Sequence, residues 1–322
     1  MLNDIYEGLP FTDQTEFLAI GKSNPGSYFR LSHYIGDGVG VSDSLTVFET
    51  FQPLWNGATS LWFFDGRFVM RNNVINESRF AGSAGIGFRQ LFDSEVGWGA
   101  SGWFDIDELN RNQYQQLGVS LERFGRFWDL RANGYFPVGT ERNNSGVSGV
   151  GQNLAFTGNL LAFARTRLDE VAMKGVDIEA GTKLWGRLAD RFNVRIYGGG
   201  YHFQANEGDK VWGARARLIG NLTENTSTQV LVTSDDTFGD NLILGLSMYF
   251  GGSRKSSWTI PAGWEAPGST VTVRGQSPTG LLASYGPTSK MNQPVLRQFN
   301  ITVVEESIFD PVAALNADNN NQ

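Results

Sequence analysis

Few residues of this chain could perform acid–base or nucleophilic chemistry. The sequence contains no cysteine, which excludes thiol nucleophiles, disulfides and thiolate metal sites. It contains two histidines, His33 and His202, which are far apart and have no evident serine or carboxylate partner. A nucleophile–base cluster is therefore missing, and the sequence predicts a protein with no enzymatic activity and no cofactor.

One glycine-rich segment has to be compared with the dinucleotide-binding motif. Residues 97–102 match the spacing of a dinucleotide-binding turn. They lie inside a predicted strand and open no helix, so the structural context that this motif requires is missing. The net charge of −7 also argues against a nucleic acid as a partner.

The charged residues follow a regular alternation with large apolar residues. In the segment 127–138, for example, Trp128, Leu130 and Phe136 share one parity, whereas Asp129 and Arg131 share the other. Successive residues of a strand point to opposite faces of a sheet, so each segment has one apolar face and one charged face. The charged residues predicted to line a common lumen are Asp65, Arg67, Arg89, Asp105, Glu122, Asp129, Arg131, Asp177, Glu179, Arg195, Arg215 and Arg217.

Charges of both signs on one enclosed face can pair, which offsets the cost of removing them from water. Two interpretations of this charged face remain open. It could form a polar conduit that contacts a threaded chain, or it could form salt bridges that make a narrow barrel rigid. The two roles are compatible.

The length of the alternating segments indicates a membrane. They run for ten to thirteen residues, whereas strands of soluble proteins average about 5–6 residues and a strand that crosses a bilayer needs roughly 9–11. The sequence thus predicts an all-β protein, an antiparallel transmembrane β-barrel of about twelve strands, with apolar residues outside. The predicted strands are 27–36, 43–52, 59–70, 79–91, 96–106, 112–123, 127–138, 174–185, 191–203, 209–219, 226–235 and 240–250.

Three regions follow from this pattern. Residues 1–26 are predicted to be an N-terminal periplasmic lead, and residues 27–250 the barrel. Residues 251–322 are rich in proline and are predicted to be a mostly irregular C-terminal segment. The long insert 139–173 fits either a weak helix or two strand extensions.

Aromatic residues mark the ends of the predicted strands. This placement is typical of the girdles at the two membrane interfaces, although ordinary core aromatics are an alternative. The predicted girdle residues are Trp55, Trp98, Trp128, Trp185 and Trp212. The last strand, with Gly245, Met248 and Phe250, alternates apolar residues and ends on an aromatic, as does the signal that the barrel insertion machinery reads.

Several motifs occur in a fixed order: LWFFDGR at 61–67, GSAGIGFR at 82–89, GASGWFD at 99–105, QQLGVSLE at 115–122 and KGVDIE at 174–179. Together they resemble the translocator barrel of inverse autotransporters, the intimin and invasin family. The tail PVLRQFNITVVE at 294–305 resembles the linker that follows such barrels, and the resemblance implies that residues 251–322 are a lumen linker and passenger stub.

The resemblance implies a barrel in the bacterial outer membrane that exports its own C-terminal passenger, with the C-terminus toward the cell surface and adhesion as the passenger's role. The implied partners are outer-membrane lipid, the insertion machinery and that passenger. The residues expected in the lumen linker are Val295, Arg297, Phe299, Ile301 and Val303. Three alternatives remain: a porin-like passive channel or structural barrel, an outer-membrane enzyme, and a soluble all-β binding protein.

Overall fold

Strands make up nearly all of the chain that the structure, a computed structural model, describes. The described residues are 26–40, 44–57, 59–72, 78–92, 96–109, 112–125, 127–157, 160–206, 208–223, 225–251, 290–298 and 300–310. The strands are β1 (Tyr28–Ile35), β2 (Ser44–Asn56), β3 (Ser60–Asn72), β4 (Ser78–Leu91), β5 (Val96–Leu109), β6 (Asn112–Gly125), β7 (Trp128–Val138), β8 (Arg142–Thr157), β9 (Leu160–Lys183), β10 (Arg195–Ala205), β11 (Lys210–Thr223), β12 (Thr226–Asp235), β13 (Gly239–Gly251) and β14 (Val303–Asp310).

Twelve of these strands close into a ring. Strands β1 to β7 pair in sequence order, β9 lies between β7 and β10, and β10 to β13 again pair in order. The antiparallel pairing of β13 with β1 closes the ring. The predicted all-β fold, an antiparallel barrel of twelve strands, is confirmed.

The alternation of the sequence sorts the side chains between the two faces of the wall. Phe29, Ile178 and Leu244 are at least half exposed on the outside, whereas Phe51 and Phe63 are buried inside. An apolar outer surface around a closed antiparallel ring is what a lipid environment requires. In the described residues, no helix is long and apolar enough to cross a membrane.

The two ends of the barrel differ. Tyr28 and Gly251, which pair at the β1–β13 seam, mark one end, here called the terminal end. The opposite end is called the hairpin end, because there β8 and the 160–172 part of β9 continue past the ring as an antiparallel pair. Strand β14 pairs with the other edge of this β9 extension. The extension is therefore the centre of a three-stranded sheet.

Three details depart from the predicted elements. The insert 139–173 forms strand extensions, so of the two interpretations the helical one is wrong. The strand predicted at 191–203 begins only at Arg195, because a short helix, α1 (Arg187–Arg191), occupies the preceding turn. The sequence also did not predict β14.

Helix α1 is fixed to the barrel by one ion pair. Lys183 Nζ lies 2.8 Å from the carboxylate of Asp190 at the terminal end. This hydrogen bond from Lys183 lowers the pKa of the Asp190 carboxyl.

Candidate functional site

The lumen is filled by charged side chains from the wall. All twelve charged residues predicted to share one face lie inside the barrel, and none exposes more than 9% of its surface. Most of the wall ion pairs join different strands, whereas Arg67 and Asp65 pair within β3. Arg89 on β4 donates to Glu122 on β6 at 2.8 Å, over Gly99 of the intervening β5.

Glycine permits this pairing over a strand. A Cβ atom at Gly99 would lie 3.0 Å from the Arg89 side chain and 3.1 Å from the Glu122 carboxylate. The other wall ion pairs are Arg30–Glu49, Arg67–Glu49, Arg67–Asp65, Arg71–Asp107, Arg195–Asp129, Arg215–Asp177, Arg215–Glu179 and Arg217–Glu179. The wall is thus a polar lattice of fixed geometry.

A segment from the C-terminal region occupies this lumen. It begins near the terminal end, where Lys290 Nζ donates to the Gly125 carbonyl and to Asp129, both at 2.6 Å. Met291 and Val295 then pack into a buried aromatic cluster that includes Phe63. At the hairpin end, the Thr302 carbonyl accepts a hydrogen bond from the Met173 amide at 2.9 Å.

Wall side chains hold the backbone of this linker segment. Arg89 donates to three of its carbonyls, and Arg67 donates to a fourth, Val295, at 2.8 Å. The Gln298 amide donates to the Tyr135 hydroxyl at 2.9 Å, and the Ile301 amide donates to Asp107 at 2.9 Å. The carbonyls that Arg89 contacts belong to Lys290, Met291 and Gln293.

Beyond the ring the linker becomes β14. Val303 to Asp310 pair with Ala172 to Arg165 in antiparallel register. A salt bridge of 2.8 Å joins Arg142 on β8 to Glu306 on β14 across the β9 extension. That contact raises the pKa of the Arg142 guanidinium.

The structure places the predicted linker residues as follows. Val295, Arg297 and Ile301 are buried in the lumen, with at most 3% exposed. Val303 opens β14 and is partly buried beside Ile301. Phe299 lies outside the described residues.

Sequence reasoning missed several contributors to this site, among them Arg30, Glu49 and Arg71 of the wall ion pairs. Asp107 and Tyr135 share the parity of the charged residues on their strands, which could have identified both. Lys290 lies just before the tail motif that begins at Pro294 and carried no signal of its own.

The predicted girdle residues all lie on the outside of the barrel. Trp55, Trp98, Trp128 and Trp185 are near the terminal end, and Trp212 is at the hairpin end. Each exposes between 48% and 72% of its surface. The outer surface therefore carries four of these five indoles at one rim.

Residues of the closing strand divide between its two faces. Met248 and Phe250 are about half exposed on the outside. Gly245 faces inward against the Tyr34 ring, where a Cβ atom would lie 2.6 Å from a ring carbon.

The histidines point away from the lumen network. His33 Nδ1 lies 3.0 Å from the Thr46 hydroxyl at the outer surface. His202 bonds to the Val211 carbonyl and stacks on Trp212. In the described ranges neither ring is hydrogen-bonded to a carboxylate, and no group of three or more His, Asp or Glu side chains could hold a metal ion.

The chain is similar to known proteins in sequence and in fold. Residues 33–184 match the inverse autotransporter, beta-domain, family. No curated protein matches the chain. A solved structure from work on the in-meso crystallization of membrane proteins aligns with a TM-score of 0.57 at 15% identity, covering 87% of this chain and 100% of that one.

Two further structures align less well. One is the outer membrane phospholipase dimer of Salmonella typhi, with a TM-score of 0.39 at 9% identity, covering 72% of this chain and 92% of that one. The other is the beta domain of the Bordetella autotransporter BrkA, with a TM-score of 0.32 at 10% identity, covering 71% and 100%. The likeness to the first structure, at 15% identity, establishes the barrel fold alone, and these two weaker alignments add nothing to it.

Proposed function

Residues 33–184 place this barrel in the inverse autotransporter beta-domain family, and from that premise we propose that the chain exports its own C-terminal passenger to the cell surface. The family and the closed antiparallel ring make it an outer-membrane translocator barrel. The proposed cargo is the chain's own C-terminal passenger, and the proposed direction of transport is outward.

One observation supports the direction of export above all others. The last barrel strand ends with Gly251 at the terminal end, yet the chain reaches the hairpin end at Val303. It does so through the lumen, past contacts at Lys290 and Val295. After the turn at 290–293, the ten residue steps from Gln293 to Val303 could span roughly 33 Å when extended, which is close to the roughly 30 Å of the hydrocarbon core of a bilayer.

The chemistry of the wall suits a conduit. Arg67 and Arg89 donate to backbone carbonyls of the linker, and carbonyls are present in every peptide. Such contacts favour any polypeptide that enters the lumen, whatever its side chains. The paired carboxylates keep these arginines fixed in position, as Glu122 does for Arg89.

The outer surface supports the orientation of the barrel and the way it is inserted. We assign the rim that carries Trp55, Trp98, Trp128 and Trp185 to the periplasmic interface, because the long β8–β9 pair leaves the barrel at the opposite end, where Trp212 lies, and the longer connections of such barrels are extracellular. Met248 and Phe250 face lipid at the end of β13, where the insertion machinery could read them together with Gly245. The hairpin end and β14 would then face the cell surface.

Protease treatment of intact cells tests this proposal. A tag placed after Gln322 should be cleaved by protease added outside, whereas the same tag before Met1 should stay intact until the outer membrane is opened. Protection of the C-terminal tag on intact cells, with cleavage after permeabilisation, would refute surface exit.

A porin-like channel is the second candidate, because the ring encloses a polar lumen. It predicts high conductance of the whole chain in planar bilayers, unchanged when residues 252–322 are deleted. Since the linker fills the lumen, we expect low conductance of the whole chain and a large increase on that deletion.

A further inference from the structure

Asp105 differs from the other ion-paired carboxylates of the lumen. Glu122 pairs with Arg89, and Asp129 pairs with Arg195 in addition to Lys290. Within the part of the chain that the structure describes, Asp105 is the wall carboxylate whose only ion-pair partner comes from the linker. That partner is Arg297, which donates two hydrogen bonds, of 2.6 and 2.7 Å, to the two carboxylate oxygens.

The wall around Asp105 is shaped for a planar cation. Trp103, Gly118 and Tyr135 form one row across three neighbouring strands. The Arg297 guanidinium carbon lies 4.8 Å from the Trp103 ring centroid and 5.4 Å from that of Tyr135. We call Trp103, Asp105, Gly118 and Tyr135 the guanidinium box.

Gly118 is the floor of this box. A Cβ atom there would lie 2.6 Å from a terminal nitrogen of Arg297, so any larger residue would displace the guanidinium. Asp105 and Arg297 expose only 3% of their surfaces. A carboxylate that accepts two hydrogen bonds, together with two aromatic rings beside the bound cation, suits the flat guanidinium with its five donors better than the compact ammonium of lysine.

An unfilled box is unfavourable. With the rest of the linker in place but without the Arg297 side chain, Asp105 would be a buried carboxylate with no ion-pair partner among the described residues and with a 3.3 Å hydrogen bond from Gln116. A buried charge without an opposite charge is strongly destabilising, so the box favours the arrival of a cation. The backbone contacts elsewhere in the lumen give no such preference for one residue of the linker.

We propose that the guanidinium box is a stop site, which binds the side chain of Arg297 and so fixes where the exported chain comes to rest in the barrel. The inference rests on the proposed function, since a stop has meaning only for a chain that moves. Its substrate class is an arginine side chain of the polypeptide itself. Export would end in the register that places Val303 beside Ala172.

Engineered disulfides can measure this register, because the natural chain contains no cysteine. The pair Ala172→Cys with Val303→Cys reports the observed register. The pair Ala172→Cys with Glu305→Cys reports a slip of two residues, which keeps side chains on the same faces. In the otherwise unchanged chain, only the first pair should cross-link.

Variants of the box should alter that result. With Arg297→Ala or Asp105→Asn we expect the yield of the 172–303 cross-link to fall about tenfold, while the 172–305 cross-link appears. Arg297→Lys should restore the register only in part. The exchange of Arg297→Asp with Asp105→Arg should restore more of the native cross-link than either single change.

Gly118→Ala provides a version of the test that leaves every charge in place. Its matched control is Gly102→Ala on neighbouring β5, where an added Cβ meets no atom within 4 Å. We expect Gly118→Ala to shift the cross-link and Gly102→Ala to leave it unchanged. If Asp105→Asn does not fold into a barrel, as judged by heat-dependent migration in gels, Gly118→Ala decides whether the guanidinium box sets the register.

Unchanged cross-links in Arg297→Ala and Gly118→Ala would overturn the stop site, because the other contacts, such as the Lys290–Asp129 pair and the β14 ladder, would then set the register without it. The cross-links are measured on purified whole chain in detergent, independently of surface exposure. Failure of the stop site is therefore distinguishable from protection of the tag after Gln322, which would refute export.

Discussion

The two parts of the linker are held by different means. Residues 290–298 and 300–302 lie in the lumen, where wall side chains contact their backbone. Residues 303–310 lie beyond the ring and form a backbone ladder with β9. The two parts also meet different surroundings, a closed wall in one case and a free strand edge in the other.

The closure of the barrel explains this difference. Every strand in a closed ring has two partners, so the wall offers the passing chain no free edge to pair with. Side chains such as those of Arg89 and Arg67 must then satisfy its carbonyls. The 160–172 part of β9 extends past the ring, away from β10, and its free edge accepts β14 as a strand.

Arg89→Ala should have the largest effect on this comparison. It removes the donor to three linker carbonyls and leaves Glu122 buried without its ion-pair partner. Breaking a buried pair costs about 3–5 kcal/mol. We expect the barrel to unfold at a lower temperature, as measured by its heat-dependent migration in gels. Hydrogen exchange should accelerate more in 290–298 than in 303–310.

The matched control is Arg123→Ala, which removes an arginine from β6 next to Glu122 but on the outer face. It should change neither measurement. Equal loss of protection in both parts of the linker with Arg89→Ala would show that they are not held independently.

Proline substitutions test the β14 part. Adjacent residues of a strand alternate in the direction of their amides, so of Glu305→Pro and Glu306→Pro one removes a bond of the β9 ladder and the other does not. The variant that removes a ladder hydrogen bond should weaken the pairing of β14 with β9 by about 1–3 kcal/mol. Hydrogen exchange should then accelerate in 303–310 and stay slow in 290–298.

The other proline variant is the internal control for chain stiffness. If both variants release β14 equally, the ladder is not what holds this part. If 290–298 is released as well, the lumen part depends on β14, and the contrast between the two is wrong.

The smallest effect is expected from Glu170, which lies directly opposite Glu305 between β9 and β14. Burial raises the pKa of the Glu170 carboxyl, and the charge of Glu305 adds to this shift. Because the folded-state pKa lies above the ordinary value, ionisation weakens β14 as the pH rises through that interval. Acidification should therefore raise the protection factors of the 303–310 amides, which correct their exchange rates for the intrinsic pH dependence of amide exchange.

Glu170→Gln should abolish that pH dependence and stabilise the ladder by about 0.2–1 kcal/mol at neutral pH, the range for a like-charge pair across strands. The protection factors of the 303–310 amides measure both effects. An unchanged pH profile in the variant would contradict this assignment.

Much of the wall could be predicted because its signal is local. The period of two assigned Asp65, Arg89 and Glu179 to one face without knowledge of their partners. The ion pairs could not be predicted in the same way. Arg89 and Glu122 are 33 residues apart, and Arg297 and Asp105 are 192 apart. Which residues meet depends on the register of every intervening strand.

The tail likewise has features that its sequence predicted and features that it did not. Its sequence motif placed Val295 and Arg297 in a linker, but nothing local distinguished the lumen residues from the strand that begins at Val303. That boundary lies where β9 loses its β10 partner, a property of the ring and not of the tail.

The sequence by itself determined that strands alternate between an apolar and a charged face, and that they are long enough to cross a bilayer, because both properties repeat along neighbouring residues. Only the tertiary structure decided that Asp105 has no cation until Arg297 reaches it, and that β14 has an edge to join. Those two facts arise from closing twelve strands into a ring, which brings distant residues together and leaves one strand longer than its neighbours.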